Sequence, residues 1–177
     1  MILEGVGSTG NRTQATIDSG RLFTDAVNST RAAKYSIDKQ LWAWCGRGNF
    51  DATDTWLMVT NNSRDKLLRI QAIMLAGDAT GRVQIHTPAF PTLAGTLLTA
   101  VRLNNPLQTT TQPDATGYAD ETGNTQANVI MEPIVIASTT LMIPIEGMIS
   151  LGYHESLAID FTVEQTYAAA TIIGWFE

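Results

Sequence analysis

The sequence predicts an all-β chain, an antiparallel β-sandwich behind an extended N-terminal arm. Three observations predict it. Short runs in which apolar and polar residues alternate recur along most of the 177 residues. Clusters such as "GDATG" and "PAFPTLAG" punctuate those runs as turns and loops. Windows rich in Lys, Glu and Leu at helical spacing are almost absent, so no β-helix-β alternation arises.

Residues 1–20 read as a flexible arm rich in Gly, Ser and Thr, with the sandwich expected over 21–177. The arm contains "GVGSTG" at 5–10, the G-x-G-x-x-G spacing that cradles a pyrophosphate at a helix N-terminus. That fingerprint needs a strand before it and a helix after it. Only Met1 to Glu4 precede it, and "NRTQATIDSGRLF" carries no apolar stripe at i, i+3, i+4, although Asp25 lies at a suitable distance. A helical turn is expected only near "STRAAKY" (29–35).

Trp42 and Trp44 in "QLWAWCG" share one face if the stretch is a strand. "TWLMVTNNS" (55–63) reads as a strand entering a polar turn. "KLLRIQAIMLA" sets Leu68, Ile70, Ala72 and Met74 against Arg69 and Gln71. After "GDATG", "RVQIHT" sets Val83 and Ile85 against Arg82, Gln84 and an outward His86, so 66–87 is expected as a hairpin. "TLLTAVRL" (96–103) is a further strand, and the polar stretch 104–127 is expected as a long loop. "NVIMEPIVIA", "TTLMIPIEG" and "MISLGY" follow, with Pro133 and Pro144 placing their strands at a sheet edge or bulge. In "SLAIDFTVEQ", Leu157, Ile159, Phe161 and Val163 alternate with Ala158, Asp160, Thr162 and Glu164. This half-buried strand is expected to pair with a last strand in "AAATIIGWFE". A jelly roll is the first choice of architecture and an immunoglobulin-like sandwich the second, the latter without its Cys–Trp–Cys pattern.

Charged residues make up 16% of the chain, below the usual ~25%. The net charge is −6, which disfavours a nucleic-acid partner, because affinity there comes from neutralising phosphates. All eleven Lys and Arg lie at or before Arg102, hinting at one basic and one acidic contact face. "MILEGVGSTG" has neither the basic nor the apolar region of a leader. No apolar run approaches the ~18 residues of a membrane span, so no membrane partner is expected.

Catalytic chemistry finds few groups to use. His86 and His154 are the two histidines, and no G-x-S-x-G elbow exists. Cys45 in "WAWCGRG" reads as a small buried or interface hydrophobe. It is the one cysteine, so no internal disulfide forms, and two distant histidines do not make a transition-metal site. Asp160 and Glu164 lie over 10 Å apart at ~3.3 Å per residue and are expected to face solvent. "DATGYADETGN" (114–124) lacks the order of a calcium loop. No enzyme activity, cofactor or metal is expected. Trp42 and Trp44 suit a core or subunit interface better than a sugar-stacking platform.

A wider layout runs through these elements: the Gly/Thr/Ser-rich arm, "GRLFTDAVNSTRAAKYSIDKQLWAW", a strand entering "VTNNS", "KLLRIQAIMLAGDATGRVQIH", and "ATIIGWFE" at the end. Over residues 15–177 this layout resembles the head decoration (cement) proteins of tailed bacteriophages. The resemblance implies a β-sandwich, often a jelly roll, that assembles as a homotrimer. It implies the outer capsid surface as location, the major capsid protein as partner, and shell stabilisation by clamping neighbouring subunits. Ile2, Leu3, Trp42, Trp44 and Phe50 are the candidate interface residues. The alternative is a carbohydrate- or receptor-binding β-sandwich of a phage tail or fibre, using Trp42, Trp44 or the 104–127 stretch.

Overall fold

The structure, a computed structural model, describes residues 2–6, 12–18, 21–23, 41–50, 55–88, 95–103, 112–121 and 126–177. The chain divides into a unit of residues 1–30 and a unit of residues 31–177. In the first, β1 (Ile2–Val6), β2 (Arg12–Asp18) and β3 (Arg21–Phe23) form an antiparallel sheet in that order. The segment expected as an arm therefore carries strands. Gly5 and Val6 of the G-x-G-x-x-G stretch end β1, a strand that pairs with β2, and the rest of the motif lies outside the described residues. The helical turn expected at 29–35 lies outside the described residues.

Among the described residues, the second unit holds thirteen strands. They are β4 (Leu41–Phe50), β5 (Thr55–Asn61), β6 (Leu68–Gly77), β7 (Gly81–Pro88), β8 (Thr96–Leu98) and β9 (Val101–Arg102). Then come β10 (Ala115–Glu121), β11 (Gln126–Met131), β12 (Ile134–Val135), β13 (Thr140–Pro144), β14 (Ser150–Leu151), β15 (Ser156–Phe161) and β16 (Gln165–Phe176). One sheet has the order β13-β6-β16-β4-β9, with β14 also on β6. The other has the order β11-β7-β15-β5-β10-β8, with β12 also on β7. Two antiparallel sheets thus pack face to face as a β-sandwich.

The core follows from the period of two along each strand. Trp42 and Trp44 on β4, Ile73 and Leu75 on β6, and Ala170 and Ile172 on β16 face Leu57 and Val59 on β5, Val83 and Ile85 on β7, and Leu157 and Ile159 on β15. Space for the Trp44 indole comes from Gly117 on β10, where a Cβ would stand 2.5 Å from Trp44 Cδ1. Trp56 packs edge-on against Phe161, with ring centroids 4.2 Å apart.

Several expectations are corrected by the pairing. The stretch 66–87 is no hairpin: β6 and β7 lie in different sheets, and their turn carries the chain across the sandwich. β15 and β16 likewise lie in different sheets and do not pair. Alternation marks a strand without saying whether the next turn folds back or crosses over. "TLLTAVRL" splits into β8 and β9, one in each sheet, with the break at Thr99 and Ala100. The excursion 104–127 is not all loop, because Ala115–Glu121 forms β10; its alternating Ala115, Gly117 and Ala119 are small inward residues that carry no apolar signal. β15, a central strand between β7 and β5, is buried along both faces except at Asp160, where a half-buried strand was expected. Pro144 ends the edge strand β13, and Pro133 separates β11 from β12, as proline's missing donor requires.

Candidate functional site

The sandwich has two rims, and each exposes apolar side chains. At one rim lie β11, β12 and β13. Ile134 and Ile136 are 60% and 59% exposed, Met142 is 62% exposed, and Met148 is 81% exposed. Between this rim and the β14–β15 turn runs an open groove of about 520 Å³. Pro88, Ile130, Ile149 and Leu151 supply its apolar lining, and His154 and Glu155 its charged and titratable groups.

Local chemistry explains how the groove is held. Asn61 is fully buried and every polar group on it is bonded. Its Nδ2 donates to the carbonyls of Lys66 (2.9 Å) and Leu151 (2.8 Å), and its Oδ1 accepts from Ser63 N–H (2.9 Å). Its backbone accepts from His154 N–H (2.8 Å) and donates to Glu155 O (3.0 Å). His154 is thereby held at φ 62°, a left-handed conformation that a non-glycine residue adopts only under such constraint. Its ring meets Tyr153 edge-on at 3.9 Å, and the Arg64 guanidinium lies 5.2 Å over Tyr153. Ser138 (φ 60°) and Glu146 (φ 52°), in the neighbouring turns, share that conformation. Gly147, at φ 81°, lets its turn lie against the Trp175 ring and present Met148 outward.

At the opposite rim, β8 and β9 expose Leu97 (61%), Val101 (58%) and Leu103 (45%). Beside them is a recess of about 350 Å³ lined by Trp42, Asp65, Lys66, Arg102, Asp114 and Phe176 among others. The Arg102 guanidinium lies 5.1 Å over the Trp42 ring.

The interface candidates from the sequence fall in different places. Ile2 and Leu3 are in β1, and Phe50 ends β4; their side chains lie outside the described ones. Trp44 is fully buried and Trp42 is 6% exposed, so both belong to the chain's own core. Trp42 reaches a recess, and Arg102 already covers a face of its ring. Cys45, expected to be buried or at an interface, is exposed on the outer face of β4.

His86 is the clearest correction. Alternation puts it on the outer face of β7, and it does point there, but it is fully buried. It lies opposite Ala158 on β15, and its Nε2 is 2.7 Å from Oδ2 of Asp160. Asp160 is correspondingly withdrawn from solvent, with 16% of its side chain exposed, while Glu164 stays exposed in the turn before β16. Ser156, two pairs along the same face, hydrogen-bonds Thr60 Oγ1 at 2.7 Å rather than the imidazole. The arrangement clamps β7 to β15, and the His86 Nδ1 has no hydrogen-bond partner. Among the described residues, no three His, Cys, Asp or Glu side chains converge as a metal site would need.

The rim residues carried a weak sequence signal. Val129 and Ile130 are adjacent apolar residues, a break in alternation that fits an edge strand exposed on both sides. In comparisons with known proteins, no family model, no curated protein and no solved structure matches this chain.

Proposed function

We propose that this chain is a viral structural protein that binds the outside of a phage capsid as a trimer and cements neighbouring capsid subunits. The strand order is the observation that carries the reading. Counting β4, β5, β6, β7, β11, β13, β15 and β16 as first to eighth, one sheet runs first-eighth-third-sixth and the other second-seventh-fourth-fifth. That order matches the connectivity of a jelly roll, an architecture found in viral capsid domains as well as in lectins, and so supports the reading. β8, β9 and β10 extend the sheets beyond the first and second strands. Apolar rims with few charges suit burial between proteins.

The mechanism is linkage. A protein that binds the assembled shell and not its free subunits stabilises the shell by about 2.7 kcal/mol per site at a hundredfold excess over Kd. Three linked contacts in one trimer add avidity without any new contact type. The test is co-sedimentation with undecorated heads of the same virus, followed by heating of the loaded and bare shells. Saturable binding and a higher shell melting temperature are expected. Absence of binding at saturating protein overturns the reading.

A second reading, a carbohydrate- or receptor-binding module, is favoured by the recess that Trp42 lines. Asp65 and Asp114 accept, and Lys66 and Arg102 donate, the bonds that sugar hydroxyls need. Titration with glycans tests it, and loss of binding in Lys66→Ala with the fold intact supports it.

A further inference from the structure

We infer that the edge strand β13 pairs antiparallel with β13 of a second copy, so that two β13-β6-β16-β4-β9 sheets run on as one. Among the described residues, β8, β9, β11 and β13 edge the two sheets of the sandwich. An edge is normally blunted by shortness, bulges or charge, because its unpaired backbone groups template another strand. β8 and β9 are three and two residues long, and β9 carries Arg102. β11 is irregular at two places against β7. β13 runs five residues in unbroken register on β6, from Thr140↔Ala76 to Pro144↔Ala72. No charged residue lies between Ile134 and Ile145, and the alternate side chains Thr140, Met142 and Pro144 are exposed.

The register fixes which backbone groups of β13 are open. Ile145 N–H donates to Gln71 O (2.9 Å), the next pair along the β13–β6 ladder. Bonds to one neighbour recur at every second residue of an antiparallel strand, so Ile143 and Leu141 also turn their backbone groups to β6. Thr140, Met142 and Pro144 turn theirs to the open edge. A two-fold axis at Met142 sets Met142 against Met142 of the second copy and Thr140 against Pro144. Each Met142 then donates to and accepts from its counterpart, and each Thr140 N–H donates to a Pro144 carbonyl. The donor that proline lacks is missed only by the Thr140 carbonyl. The two ends of the strand therefore complement each other, as an isologous contact requires. Glu146, the first charged residue after the strand, falls opposite Ser138 and not opposite itself. A two-fold contact does not close a ring of three, so the inference stands apart from the trimer of the proposed function: the contact joins single copies, or whole trimers in pairs.

Met142→Pro tests this. It removes a donor that faces the open edge and none from the β13–β6 ladder, and an edge strand accepts proline in that position. Far-UV circular dichroism and thermal melting check that the fold is retained. Native mass spectrometry of the full-length protein is the first readout. The expected wild type has an even multiple of 19.2 kDa, and Met142→Pro has half the wild-type mass. Whether that variant holds one copy or three reads the trimer separately. The second readout is a disulfide, which decides the matter even if the proline variant unfolds. In a Cys45→Ser background, Met142→Cys places two thiols on Cα atoms about 5.5 Å apart across the two-fold axis, within disulfide reach. Oxidised glutathione is expected to link this variant into a covalent dimer. It is expected to leave Ile134→Cys unlinked, although Ile134 is 60% exposed against 62% for Met142, because Ile134 lies on β12. A wild type of one or three copies, an unchanged mass in folded Met142→Pro, or equal linking of the two cysteine variants overturns the inference.

Discussion

Gly117→Ala isolates the contact that lets the two sheets close over Trp44. The added Cβ would lie 2.5 Å from Trp44 Cδ1, 3.1 Å from Cγ and 3.3 Å from Cβ. Carbon atoms rest about 3.5–4.0 Å apart, so the indole must retreat by roughly 1 Å. It has nowhere to go, being fully buried in the sandwich core. Overpacking of this kind costs about 1–3 kcal/mol. At about 2–4 °C per kcal/mol for a chain of this size, the melting temperature falls by about 2–12 °C. Urea unfolding followed by tryptophan fluorescence measures the loss. The decisive arm is the Trp44→Leu background, where the ring that would clash is gone. There Gly117→Ala should cost less than about 0.5 kcal/mol, giving a coupling of at least about 0.5 kcal/mol. Equal costs in the two backgrounds would refute the reasoning, since the penalty would then be one of backbone and not of the indole.

Other substitutions probe the polar fixtures. Asp160→Ala strands the buried His86 imidazole and should cost about 1–3 kcal/mol, whereas His86→Leu/Asp160→Leu should recover part of that loss; a double-mutant cycle in urea reads the difference. Asn61→Ala orphans the carbonyls of Lys66 and Leu151 and should cost about 2–4 kcal/mol. Asn61→Asp should be worse at neutral pH, because a carboxylate would face both carbonyls, and its deficit should shrink as pH falls and the protonated acid donates to one of them. Trp42→Ala should lower stability by about 3–5 kcal/mol as a core truncation, measurable by thermal melting before any binding assay is attempted. Cys45, exposed on β4, should react stoichiometrically with a thiol reagent in the folded protein.

The strands at Leu68–Gly77 and at the end of the chain were legible from alternation, but the core face of the first was read correctly only as far as Ile70: an irregularity opposite Ile173/Gly174 turns Ile73 and Leu75 inward and leaves Met74 half-buried on the other face. Partners were not legible. β6 and β7 are joined by a short turn rich in Gly and Asp, the usual mark of a hairpin, yet each pairs in its own sheet. The preference is settled by where Ile73 and Leu75 find their opposite layer in Val83 and Ile85, a tertiary fact with no local trace. His86 shows the same limit at a single residue. Its outward direction could be read from alternation, but its burial and its bond to Asp160 depend on β15 lying beside β7, which are separated by most of the chain's second half. Trp42 and Trp44 were correctly placed on one face, and the recess that Trp42 reaches needed the backbone of β9 to define it.

The polar fixtures and the apolar rims divide the work of the molecule. Asn61 ties β5 to the β14–β15 turn, and Gln165 ties the β6–β7 turn to the start of β16 through Oε1 to Ala79 N–H (2.9 Å) and Nε2 to Val163 O (3.1 Å). His86 ties β7 to β15. Each lies on the inner strands or at a crossing between the sheets, and none lies on the exposed ridge of Leu97 and Val101 or on Met148. Stability of the sandwich is therefore set by groups other than the exposed Leu97, Val101 and Met148, even where, as with Asn61, they hold backbone that lines the groove. A charge placed at a rim should leave the unfolding midpoint within about 0.5 kcal/mol of wild type. The same charge should abolish any contact that buries the rim, because an unpaired carboxylate would have to be desolvated there. Association and folding are thus separable by substitution in this chain, and a rim variant that loses both would place Leu97 or Met148 inside the folding core, against their 61% and 81% exposure.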